Sequence, residues 1–366
     1  MWRIFLCCLL FMFSSALMLR ADEEPSRTGN QPPAEEPDVT GNHAEIKNFH
    51  PGIFMFDHIE NAHEWHIMTI GHTHISIPLP IILFSKSKGF TVFMSGKFHH
   101  GQDAYRGYKL EVSGDNKGKI VAEDGSFPLD LSITKNVTAL LFSVVLILWI
   151  FLSLAKPYKR NPLKPPRGIQ SFIEPVIIFL RDEVAKPSIG EKKYEKFMPY
   201  LLTVFFFILI NNVLGLIPIP PAGANLTGNI AVTFSLALFT FIITTISGNR
   251  NYWKHIVNTP GVPLWLKIPL PIMPLVETIG VFTKPFVLMV RLFANITAGH
   301  IISLGFISLI YIFAEMSTGL AYGVSIISIS FNIFMTFLEL LVAFIQAFVF
   351  TFLSAIYFGM ATEEHH

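Results

Sequence analysis

The sequence predicts an all-α polytopic membrane protein. It has five transmembrane helices, the last two forming a long tilted C-terminal hairpin, and a small exported N-terminal region of mixed α/β character. Three observations carry this. Hydrophobic residues are 51% of the 366-residue chain and charged residues 14%, against roughly 25% charged in soluble domains. Uncharged apolar runs long enough to span a bilayer recur through the C-terminal two thirds. Lysine and arginine collect at alternate ends of those runs, as membrane topology requires. The net charge of +1 points to no nucleic-acid partner. Both cysteines, Cys7 and Cys8, lie in the first ten residues, so the rest of the chain has no disulfide framework or cysteine metal site.

Residues 1–21 have the form of a signal peptide. Arg3 opens it, Ile4 to Leu19 is its apolar core, and Ala21 precedes the acidic Asp22-Glu23-Glu24-Pro25. The alternative is an uncleaved first helix; either way the following segment is exported. Residues 22–45, acidic and proline-containing without periodicity, read as a disordered linker. Residues 46–130 form an extracytoplasmic histidine-rich region. Strand character appears at 75–84, 90–96, 108–112 and 119–124, with a hairpin turn at 114–118 and a short helix around His58–Ile67. In that helix His63 and His66 would share a face. The string His63-Glu64-Trp65-His66 is one residue short of the H-E-x-x-H zinc pattern, so no metal is expected.

A transmembrane domain follows at 137–358. Val137–Ala155 is its first span, closed by Lys156, Lys159, Arg160, Lys164 and Arg167 on the inside. Residues 168–196 are amphipathic and mixed in charge, which predicts a helix along the inner surface. Phe197–Pro218 and Leu226–Ser247 are the next spans, joined by an uncharged outer turn, and Arg250 and Lys254 bring the chain back inside. Between 259 and 285 the prolines at 260, 263, 269, 271, 274 and 285 predict a kinked or in-plane segment and a broken helical register. The helix bearing Arg291 comes next, then an outer turn at Ala314–Gly319, the last helix Ala321–Phe358, and an inner tail at 359–366.

The intramembrane polar residues are the candidate site. A guanidinium stays protonated, and placing it at the bilayer centre costs about 2.5–3.5 kcal/mol on insertion scales. Arg291 is therefore either a structural ion pair or part of an ion pathway. Asn332, Glu339 and Gln346 recur every seven residues on one face of the last helix, while Asn295 follows Arg291 by four and His300 by nine. In an antiparallel hairpin Gln346 falls near the depth of Arg291. Glu339 and His300 fall about 10.5 and about 13.5 Å farther outward. The pattern predicts an amide beside the arginine and a proton-relaying carboxylate and imidazole near the outer surface. A static Glu339–His300 pair and simple interhelical hydrogen bonding by Asn295 and Gln346 are the alternatives. Glu277 is placed on an inner exit path, with Pro285 breaking its register to Arg291 and Lys284 at the interface. Glu339 lies too far outward to neutralise Arg291, which puts the counter-charge on another chain.

Four segments, VRLFANITAGH (290–300), KFMPYLLTVFFFILINNVLGLIP (196–218), TGNIAVTFSLAL (227–238) and ELLVAFIQAFVFTFLSAIY (339–357), resemble subunit a of the membrane sector of bacterial F-type ATP synthases. The resemblance covers about residues 137–358. It implies a non-catalytic, cofactor-free stator subunit with two proton half-channels, coupling proton flow to ATP synthesis in the inner membrane. Arg291 would face a carboxylate on a rotor ring of c subunits, with b subunits of the peripheral stalk as further partners. Asn295, His300, Glu339 and Gln346 would line or support the outer half-channel. Here the histidine follows the arginine and the acid lies on the last helix, an exchange the family permits. Asn225 stands where many relatives carry an aspartate. The chain has no Walker A phosphate loop, so nucleotide chemistry belongs to partners. Two rivals differ in kind: a secondary transporter, for which no inverted repeat is read, and a sensor anchored by its spans and reading a metal through the histidines.

Overall fold

The computed structural model describes residues 50–363 except 60, 71–72, 87, 113–115, 161–164, 218 and 258–271. The signal-peptide and linker readings, the start of the turn at 114–118, the proline-rich stretch up to 271 and the end of the tail lie outside the described residues. The N-terminal region opens with α1 (Pro51–Ile59) and continues as β1 (Glu64–Ile70), β2 (Thr73–Pro78), β3 (Pro80–Ser85), β4 (Gly89–Met94), β5 (Tyr108–Leu110), β6 (Ile120–Ala122) and β7 (Leu129–Asp130). β1 and β2 form an antiparallel hairpin, β3 lies between β4 and β7, and β5 pairs with β6. Alternation builds the small core: Ile81 and Leu83 point in from β3 and Phe93 from β4, meeting Phe98, Tyr108 and Ile120.

Two expectations fail here. The helix ends at Ile59, and the residues read as its second half form β1. Glu64-Trp65-His66-Ile67-Met68-Thr69-Ile70 is rich in aromatic and β-branched side chains, and a partner strand is close at hand, Trp65 facing Ile77. His63 and His66 therefore share no helix face. The run 75–84 is two strands, divided at Leu79. Pro78 and Pro80 supply no ladder donor, and the Leu79 amide donates instead to Ser95 Oγ at 3.0 Å.

The helical part comprises α2 (Lys135–Arg160), α3 (Ile169–Phe179), a π-helical turn (Leu180–Ala185), α4 (Lys186–Ile189), α5 (Tyr194–Gly215), α6 (Ile230–Ser247), α7 (Arg250–Val257), α8 (Ile272–Met316) and α9 (Thr318–Thr362). Among the described residues five helices, α2, α5, α6, α8 and α9, are long and apolar enough to cross a membrane. The amphipathic reading of 168–196 falls on α3, the π turn and α4, with Phe172 80% exposed. Asn229 starts α6 by accepting the Ala231 amide at 2.9 Å. The bundle core is α5, with Leu201, Val204, Phe205 and Ile208 at 1% exposure or less. Against it lie Ala347, Phe350, Ala355 and Phe358 of α9, whose small residues admit close helix approach.

The hairpin is longer than the sequence predicts. α8 and α9 are 45 residues each, about 67 Å, and only Ser317 separates them. The turn expected at Ala314–Gly319 is therefore almost entirely helical. The expected break before Arg291 is also absent from Ile272 onward. Pro274 sits in the first turn, where the missing amide is harmless, and Pro285 lies inside the continuous helix. In a lipid setting no competing water disrupts the remaining backbone bonds, so an internal proline is tolerated where neighbours cover it. Glu277, Lys284 and Arg291 accordingly keep one register.

Candidate functional site

Two small cavities flank Arg291 along α8. The first lies toward the N-terminal β region, between α5, α8 and α9, and holds about 20 Å³ of water-accessible space, room for about one water. Asn212, Asn295, Gly299, His300 and Glu339 line it. The second, of about 10 Å³, lies between α6, α7, α8 and α9 and is lined by Thr240, Thr244, Tyr252, Lys284, Pro285 and Tyr357. By helical rise Lys284 is about 10.5 Å from Arg291 on one side and Gly299 about 12 Å on the other.

The first cavity is polar where the chain cannot satisfy itself. Asn212 Nδ2 and Glu339 Oε1 are buried with no hydrogen-bond partner in the protein, and so is Asn225 Nδ2 nearby. Buried groups of this kind take their hydrogen bonds from water. Glu339 packs over Gly299: a methyl group there would stand 2.8 Å from Oε1. His300 reaches past Gly215, where a methyl would lie 3.6 Å from Nε2. Glycine at 299 is what lets the carboxylate enter the helix interface, whereas a methyl at 215 would meet the imidazole only in ordinary van der Waals contact. Carboxylate and imidazole line the same cavity without forming an ion pair.

Arg291 and Asn295 lie on the exposed face of α8. Among the described residues no carboxylate forms an ion pair with Arg291. Ala294 and Ala298 beside it are also exposed, and Val287 and Val290 are 39% and 38% exposed. Gln346 is buried at 7% exposure and makes no hydrogen bond to Arg291. Since Glu339 sits beside Gly299 and Tyr357 beside Lys284, Gln346 is level with Phe293, about half a turn from the arginine along the axis. Asn332 bonds Ser303 across the hairpin, nearer its tip.

In the second cavity Lys284 Nζ stands 5.6 Å from the centroid of the Tyr357 ring. Pro285 denies the Val281 carbonyl its helical donor, and both residues line this space. Glu277 lies two turns farther along α8 and does not line the cavity. Its charge reaches Tyr252, whose phenol is pushed up first by burial and then by Glu277. Sequence reasoning passed over Asn212, Gly215, Gly299, Tyr252 and Tyr357. Asn212, an amide inside an apolar span, was the legible signal.

Fold and site together define a multi-pass helical membrane protein that keeps polar groups in two separate intramembrane cavities beside a fixed cation. A family model described as ATP synthase A chain matches residues 137–359. The chain belongs to that family. A second model, described as a domain of unknown function, matches residues 54–138. The chain is 44% identical over 241 residues to ATP synthase subunit a 2 of Chlorobaculum tepidum, covering 64% of each protein. It thus spans just under two thirds of that relative's length. It is 41% identical to ATP synthase subunit a of Chloroherpeton thalassium, over 66% of this chain and 70% of that one. To ATP synthase subunit a of Myxococcus xanthus it is 42% identical, over 65% and 75% respectively.

Proposed function

We propose that this chain is the ion-translocating stator subunit of a rotary ATP synthase, with its cavities serving as two proton half-channels. The observation that carries the reading is the position of Arg291 along α8 between two polar cavities. Protons enter from the side of the N-terminal β region through His300 and Glu339. They cross to a rotor carboxylate that supplies the counter-charge Arg291 does not have among the described residues. After the ring has turned they leave through the second cavity, past Tyr357 and toward Glu277. Arg291 attracts the ionised rotor carboxylate and, never releasing its own proton, blocks a direct leak. The exposed strip of Val287, Val290, Ala294 and Ala298 supports docking of a helical ring, since small side chains let helices approach closely.

The distribution of lysine and arginine supports an extracytoplasmic amino end and a cytoplasmic carboxyl end in a bacterial inner membrane. Partners are then a ring of c subunits at the Arg291 face and b subunits of a peripheral stalk. The test is Arg291→Ala in the complex reconstituted into vesicles. ATP synthesis driven by a proton gradient should be lost and passive proton leak should rise. Wild-type synthesis without leak would overturn the mechanism.

A further inference from the structure

The second half of the segment between α5 and α6, from Ala222 to Thr227, is a loop that behaves like core. Loops run over protein surfaces because their backbone groups need water, yet Ala224, Leu226 and Thr227 are 3%, 1% and 1% exposed. Its inner side rests on the first cavity. The Gly223 amide donates to the Leu214 carbonyl at 2.9 Å, and the Thr227 hydroxyl to Asn212 Oδ1 at 2.5 Å. The Thr297 hydroxyl reaches the Gly228 carbonyl at 3.4 Å. A methyl group on Gly215 would stand 3.5 Å from the Ala224 carbonyl and 3.6 Å from His300 Nε2, so the loop and the imidazole both approach this glycine.

Its other side is covered by the N-terminal region. Trp65 is 5% exposed and clusters with Ala224 of the loop and Ala139 of α2. The residues before Trp65 are pinned to the start of α2. The Ala62 carbonyl accepts the Lys135 amide at 2.9 Å and Asn61 Oδ1 accepts the Asn136 amide at 3.2 Å. Both amides belong to a helical first turn, which has no intrahelical acceptors of its own. His63 Nε2 pairs with Asp130 Oδ2 at 2.9 Å, two residues from Trp65.

We propose that Asn61–Trp65 is a strap that presses this loop onto His300 and Asn212. Trp65 is then a positioning residue of the outer half-channel, and the N-terminal β region takes part in ion translocation instead of merely preceding it. This rests on the half-channel reading above. Removing the indole frees the Ala224 segment to rise, and the imidazole loses the surface that fixes its place in the cavity.

The experiment uses the full complex in vesicles, with Cys7 and Cys8 changed to serine and Ala224→Cys as a reporter. Trp65→Ala should lower passive proton flux about tenfold, the scale of effect that small misplacements produce. It should also make the thiol introduced by Ala224→Cys react with a membrane-impermeant maleimide that does not reach it when Trp65 is present. Trp65→Phe, which refills most of the space, should restore both. Unchanged flux and unchanged labelling in Trp65→Ala would overturn the proposal, as would failure of Trp65→Phe to restore either. If Trp65→Ala does not accumulate, Trp65→Leu takes its place, and the same two results support or overturn the proposal. The labelling arm needs no proton flux. Absent flux in the parent complex counts against the half-channel reading, while shielding of the introduced thiol by Trp65 still supports the strap.

Discussion

Replacing Gly299 by alanine puts a methyl group where the structure has the least room near Glu339. The new carbon would lie 2.8 Å from Oε1, 3.2 Å from Cγ and 3.3 Å from Cδ. Carbon and oxygen approach to about 3.3 Å at closest in ordinary packing, so the carboxylate must withdraw by roughly 0.5 Å. Overpacking costs about 1–3 kcal/mol, and alanine regains about 1 kcal/mol over glycine in a helix. The net effect on stability is therefore between about zero and about 2 kcal/mol of destabilisation. The effect on flux should be larger, because a proton relay depends on carboxylate position and displacements toward 1 Å cost up to about a hundredfold. Gly305→Ala is the control. It lies six residues along the same helix with nothing within 4 Å of the added carbon. Proton flux through the reconstituted complex, driven by a potassium diffusion potential and followed with a pH-sensitive dye, should fall at least several-fold in Gly299→Ala. It should stay unchanged in Gly305→Ala. Equal flux in both variants at equal assembly would refute the claim that Gly299 seats the carboxylate.

Glu339→Gln should lower proton flux by an order of magnitude or more while the complex still assembles on native gels; unchanged flux reduces Glu339 to a packing role. Gly359→Ala would place a carbon 1.9 Å from the Ser188 carbonyl oxygen, a backbone atom with little freedom to move. Detergent-solubilised protein should lose about 3 kcal/mol or more of stability, seen as a lowered Tm, and an unchanged Tm would show that α9 does not pack there as described. Asp130 concerns the N-terminal region. Burial alone would raise its carboxyl, but the hydrogen bond and charge of His63, together with Ser132, outweigh this and hold it below the usual carboxylate range. A lowered folded-state value means the stabilisation is present above the unfolded value near 3.9 and is lost as pH falls through the folded one. Asp130→Asn should therefore lower Tm at pH 7, by about 2 kcal/mol in stability, with the difference from wild type vanishing in strong acid. A difference that persists below that range would assign the loss to packing.

The membrane character of this protein was legible because it depends on composition along the chain. Nineteen uncharged residues at Val137–Ala155 need only their length to announce a span, and α2 contains them. Arg291, Glu339 and His300 were visible for the same reason: a charge in an apolar run is conspicuous without any fold. Proline misled at 272–285, since its reputation as a helix breaker comes from water, where freed backbone groups find other partners. The strands misled at 64–70, where periodicity over seven residues cannot tell a short helix from a strand until a partner strand is known.

What tertiary structure alone decided is which side chains meet. Asn212 and Glu339 are 127 positions apart in sequence yet line one cavity, and the glycine that admits Glu339 carries no side chain for a pattern to register. Trp65 reads in the sequence as one aromatic residue of a strand, and only packing places it over Ala224. The sequence by itself determined which apolar runs can cross a membrane and which charges lie within them, because transfer energies belong to residues. Tertiary structure decided where Arg291 stands between two cavities, because burial, clash and hydrogen bonding belong to pairs of residues brought together by the fold.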